Sequence, residues 1–131
     1  MAELEYAVLA DFAAVDDQGA LTVVGAHRAV FSVVGTPSQH VVCVGGRLFL
    51  ARREPPALLS LGAVTPEGEV PVVAQWPVEP RPGPLVDGRL AVSFAATLVA
   101  PVPAAGEYAL TLSVNGELVR RLPFTVRDAA G

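Results

Sequence analysis

The chain has 131 residues, of which 52% are hydrophobic and 17% charged, a balance that excludes intrinsic disorder and fits one domain with a sizeable core. Twelve prolines spread along it argue against a mostly helical protein. All nine basic residues are arginine, scattered among thirteen acidic ones for a net charge of −4, so the basic face that nucleic acid requires is not expected.

Alternation of apolar and polar residues, broken about every ten residues by Gly, Pro, Asp or Asn, predicts an all-β, single-domain antiparallel β-sandwich over residues 1–131. Residues 6–15 read as a first strand, apolar on both faces apart from Asp11. Asp16-Asp17-Gln18-Gly19 is a turn signature, and residues 20–34 follow as a second long strand that completes a hairpin. Residues 35–40 form a loop around Pro37, and residues 41–51 a third strand in which Gly45-Gly46 suggests a bulge.

Residues 52–56 connect to a fourth strand at 57–64, and Thr65-Pro66-Glu67-Gly68 turns the chain into a fifth at 69–75. Pro71 assigns that fifth strand to a sheet edge or a bulge. Residues 76–84, with prolines at 77, 80, 82 and 84, read as a stiff extended linker within the domain. A sixth strand at 89–100 ends at Pro101 and Pro103, and strands at 108–114 and 118–126 close the chain as a hairpin around Asn115-Gly116.

That hairpin carries a register argument. A two-residue turn at Asn115-Gly116 pairs Val114 with Glu117, and an unbroken ladder would then set Arg121 against Leu110. Phe124 and Leu122 would face water while a charge entered the core. One extra residue at Arg120-Arg121 repairs this, pairing Leu122 with Leu110 and Phe124 with Tyr108. A β-bulge at the two arginines is therefore expected, with both guanidinium groups in solvent or on an acidic partner.

Leu9-Ala10-Asp11-Phe12-Ala13, Val15, Gly19, Leu21 and Gly25, with Gly106-Glu107-Tyr108, Leu110, Leu112 and Asn115-Gly116-Glu117-Leu118 near the other end, resemble a small bacterial family of unknown function. The resemblance implies a β-sandwich and no activity. It departs where His27-Arg28 stands after Gly25, a place the family often fills with a charged or aromatic pair. Residues 103–108 are also similar to the corner of immunoglobulin-like sandwiches, where a tyrosine, here Tyr108, bonds back to the preceding loop.

Nucleotide-binding glycine motifs and the G-x-S-x-G nucleophile elbow are absent. One cysteine, Cys43, excludes an internal disulfide and a Cys-x-x-Cys zinc site. His40 and Cys43, three apart on a strand, point to opposite faces and read as structural residues rather than a catalytic dyad. Asp11, facing Gly25 with His27 diagonally beside it, has two readings: a ligand site with Arg28 at its rim, or a structural carboxylate holding backbone amides or an arginine. The second is preferred, since one carboxylate and one histidine are an incomplete metal set. Trp76, beside the prolines, reads as a plug of the sandwich before a recognition residue.

The function expected is non-catalytic binding or scaffolding, with a protein partner or by self-association, as a homodimer or a subunit of a larger bacterial assembly. The alternative is a small-ligand binder or enzyme using a pocket around Asp11, His27 and Arg28. Arg120 and Arg121 are candidates for a partner or anion spot. No cofactor, metal, nucleic acid or membrane is expected, and an acidic start with no long apolar run points to the cytoplasm. A twofold dimer follows from strands 20–34 and 89–100, which look apolar on both faces.

Overall fold

The structure, a computed structural model, describes residues 2–51, 55–81, 83 and 85–129. All its regular elements are strands, in chain order β1 (Glu3–Ala10), β2 (Phe12–Val15), β3 (Leu21–Val24), β4 (Val30–Val33), β5 (Ser38–Leu50), β6 (Ala57–Thr65), β7 (Gly68–Val78), β8 (Leu85–Val86), β9 (Arg89–Val102), β10 (Gly106–Val114) and β11 (Glu117–Asp128). Two sheets, β1-β5-β9-β8 and β4-β11-β10-β6-β7, pack face to face, and β2-β3 forms a separate ribbon. Among the described residues no helix is long and apolar enough to cross a membrane.

The alternation of side chains along each strand builds the core. Leu9, Val42, Val44, Leu48, Leu50, Val92 and Phe94 of the first sheet meet Leu59, Leu61, Leu110, Leu112, Phe124 and Val126 of the second, all buried. The described residues bury no polar or charged side chain, so this core carries no desolvation cost that an ion pair would have to offset.

The first hairpin differs from expectation. Residues 6–15 break at Asp11: β1 pairs with β5, whereas β2 pairs with β3. Residues 20–34 break between β3 and β4, where Gly25 and His27 take left-handed backbone (φ 68° and 62°) and redirect the chain. β4 then joins the opposite sheet, parallel to β11, so the sandwich is not purely antiparallel. The two-faced apolar character of residues 20–34 reflects this change of sheet, with Phe31 and Val33 buried in the core.

The glycines of β5 also correct the reading. Pairing of β5 with β9 is unbroken from Ser38–Val102 to Leu50–Leu90, and the irregularity lies instead in β1, at Glu5. Gly46 makes room for the Phe94 ring, whose Cζ would stand 2.6 Å from an added Cβ. Gly45, on the outer face, seats the ribbon: a Cβ there would meet Val23, Ala13 and Leu21 at 3.2–3.4 Å. The ribbon thus forms a partial third layer over the first sheet.

β7 is the edge of its sheet, as Pro71 requires, and its pairing with β6 jumps from Leu61–Ala74 to Ala63–Val70. It continues through Trp76 and Pro77 to Val78, so the linker is shorter than expected. β9 runs through Pro101 to Val102 rather than ending before the prolines. Asp87-Gly88, both left-handed (φ 52° and 76°), turns β8 into β9, a hairpin hidden among the prolines. The connector at 52–54 and prolines 82 and 84 lie outside the described residues.

The closing hairpin turns at Asn115-Gly116 (φ 51° and 84°), and Leu122 faces Leu110 and Phe124 faces Tyr108, as expected. The bulge sits one residue earlier than predicted. Ser113 pairs with Leu118 and Leu112 with Arg120, leaving Val119 as the extra residue. Val119 packs against the core, so an apolar side chain occupies the inward place and both arginines stay exposed.

Candidate binding surfaces

Asp11 stands where the chain leaves β1 for the ribbon, its amide donating to the Val24 carbonyl at 2.9 Å. Its carboxylate lies on Gly25 and is engaged at both oxygens by Arg28, with Nε donating to Oδ1 at 2.9 Å and Nη2 to Oδ2. This bidentate pair holds the Asp11 carboxyl below the usual carboxylate range, chiefly through the hydrogen bond from Arg28. It is exposed rather than buried, with both side chains more than two-fifths accessible. His27 does not join it. It lines a separate hollow of about 170 Å³ with Arg28, Val8, Leu9 and Leu122. The pair has the geometry of a latch fixing the loop between β3 and β4, whose Arg28 amide also donates to the Leu9 carbonyl at 3.2 Å.

His40 and Cys43 stand apart, as their spacing implies. The His40 ring packs 4.7 Å from that of Phe31, while buried Cys43 touches the Thr97 hydroxyl at 3.5 Å. Among the described residues no group of three or more His, Cys, Asp or Glu could hold a metal.

Trp76 is partly buried against the core, its ring 6.5 Å from that of Phe94. It borders an open groove of about 430 Å³ with Val15, Pro77, Pro80, Arg81 and Ala95. Arg120 borders another hollow, beside Leu4 and Glu117, whereas Arg121 pairs across the hairpin with Thr111.

Sequence reasoning missed an ionic cluster on the outer face of the first sheet. Glu5 accepts from Arg47 at two points, one at 2.7 Å, and Arg89 pairs with Glu3. The Arg47 bonds hold the Glu5 carboxyl below its ordinary range. Both guanidinium groups flank Phe49, at 5.6 Å for Arg47 and 4.2 Å for Arg89 from the ring centre. The acids at 3 and 5 were visible, but their partners lie 86 and 42 residues away, respectively.

Next to Arg47 the ribbon tip and Arg81 enclose a hollow of about 480 Å³, lined also by Asp17, Gln18, Gly19, Val86, Ala91 and Ser93. Arg81 Nη2 donates to the Asp17 carbonyl at 2.7 Å. Beyond the ribbon, the cross-strand neighbours Val41 and Val99 are each 56% exposed. On the ribbon's own outer side, paired Phe12 and Val24 are also exposed.

No curated protein matches the chain. The model of a family of unknown function, DUF6941, matches residues 5–127, from within β1 to near the end of β11. The match covers nearly all of the sandwich, and the chain belongs to this family of unknown function.

Proposed function

We propose that the chain is a non-catalytic, immunoglobulin-like β-sandwich that works by binding, as a cytoplasmic homodimer or as a self-associating subunit of a larger bacterial assembly. The observation that carries this reading is the free edge of β9. β8 pairs with Leu90 and Arg89, so among the described residues no strand pairs with the outer side of the stretch from Ala96 to Ala100. No loop backbone hydrogen bond among the described residues falls on it either.

Exposed edges are normally blunted by charge, proline, bulges or brevity. The outer strands β1, β7 and β4 follow this rule. β1 carries Glu3, Glu5 and a bulge, β7 carries Pro71, Pro77 and an irregular ladder, and β4 has only four residues. Ala96-Thr97-Leu98-Val99-Ala100 is uncharged, proline-free and regular in its pairing with β5. An antiparallel copy of the same strand would satisfy its backbone groups, and a twofold axis would close the assembly. The exposed Val41–Val99 pair would extend across that junction. The tyrosine corner, with Tyr108 Oη donating to the Ala104 carbonyl at 2.5 Å, supports the immunoglobulin-like part of the reading.

Light scattering on the purified chain at micromolar concentration tests this. The expected mass is twice the 13.6 kDa of one chain, reduced to one chain by Thr97→Lys with an unchanged far-ultraviolet spectrum. A monomeric native protein, or a Thr97→Lys dimer, overturns it.

A further inference from the structure

We propose that the hollow between the ribbon tip, the outer face of the first sheet and Arg81 is a binding site for a small carboxylate with an apolar body. The proposal is independent of self-association. Its volume of about 480 Å³ lies within the usual range for a small-molecule site.

Arg81 gives the lining N–H donors that no described residue engages. Arg81 makes no ion pair with any described residue, and one of its five N–H groups is engaged, on the Asp17 carbonyl. The Gln18 backbone N–H donates to Asp16 Oδ1 at 2.9 Å, whereas the Gln18 side-chain amide and the Ser93 hydroxyl have no partners among the described residues. Asp17 is the one carboxylate among the described lining residues, and it pairs with no described arginine. With Arg47 already paired to Glu5, Arg81 is the guanidinium in this lining that has N–H groups left to offer, with Asp17 as the facing charge.

Both arginines are held before any ligand arrives. Glu5 grips Arg47 at two points, and Phe49 backs it. Arg81 is tied to the Asp17 carbonyl and lies alongside Gly19, where an added Cβ would already touch Nη1 at 3.6 Å. A guanidinium fixed in this way presents a planar fork suited to a carboxylate and loses little entropy on binding. Val86 and Ala91 give the same hollow an apolar wall. Glu5 neutralises Arg47, which leaves Arg81 as the residue that recognises charge and Arg47 as part of the wall.

Amide-resolved titration of the full chain with benzoate tests the site, with benzyl alcohol as the uncharged comparison at fixed salt. Saturable benzoate shifts are expected at Gln18, Gly19 and Ser93, none of them saturating with benzyl alcohol. Arg81→Gln should weaken benzoate by about tenfold, the loss of one charged hydrogen-bonding group. Asp17→Asn, which removes the opposing charge, should tighten it. Shifts that never saturate, equal binding of benzyl alcohol, unchanged affinity in Arg81→Gln or weakening in Asp17→Asn each overturn the proposal. Arg81 is exposed, and the benzyl alcohol and Asp17→Asn measurements decide the matter without relying on that variant.

Discussion

Asp11 and Gly25 are in direct contact across the point where the chain leaves the first sheet: a Cβ added at Gly25 would stand 2.7 Å from Asp11 Cγ. Gly25 is also left-handed at φ 68°, so alanine there strains the backbone as well as displacing the carboxylate from Arg28. Gly25→Ala should destabilise by about 1–3 kcal/mol in urea unfolding. A change within a few tenths of a kcal/mol would show that the Asp11–Gly25 contact constrains nothing.

The bulge at Val119 predicts an asymmetry between two neighbouring deletions. Removing Arg120 leaves Val119 opposite Leu112 in a regular ladder, with Leu122 still facing Leu110, and should cost about 1 kcal/mol or less, since the apolar pattern is kept. Removing Val119 instead places Arg120 in the inward position opposite fully buried Leu112. That deletion should cost about 3 kcal/mol or more, the scale of an uncompensated buried charge. Equal denaturation midpoints for the two deletions would contradict the register.

Tyr108→Phe removes a hydroxyl whose bond to the Ala104 carbonyl spans the turn into β10. The ring is buried, and desolvation pushes the phenol above its ordinary range. Loss of this bond should cost about 1 kcal/mol, seen as a lower melting temperature with the near-ultraviolet spectrum retained. An unchanged melting temperature would remove the corner from the list of stabilising contacts.

Acid should weaken the fold through Asp11 and Glu5. Both carboxyls are held below their ordinary range, mainly by hydrogen bonds from Arg28 and Arg47. The unfolded chain therefore takes up their protons first as pH falls. Their contribution is complete above the ordinary carboxylate range, about pH 4, and is lost as pH drops through the lowered folded values. Melting temperatures measured from neutral pH downward should decline in that window, and less steeply in a variant with Asp11→Asn and Glu5→Gln. Parallel curves for variant and native protein would refute the assignment.

Signals that are local in the chain were legible from residues alone. Alternation identified most strands, Asn115-Gly116 the closing turn, and Pro71 an edge. The register of β11 followed because a period of two leaves only one way to bury Leu122 and Phe124 together. Tertiary structure decided what covers each face. A two-faced apolar stretch is compatible with a second copy, a folded-over ribbon or a change of sheet, and residues 20–34 contain the last two. Gly45 and Gly46 carry no signal that one seats Val23 and the other Phe94, because a missing Cβ records space without naming what fills it. The Glu5–Arg47 and Arg28–Asp11 pairs, and the hollow beside Arg81, depend on residues brought together by sheet order. Alternation along one strand fixes its two faces; only the packing of strands against one another determines what each face meets.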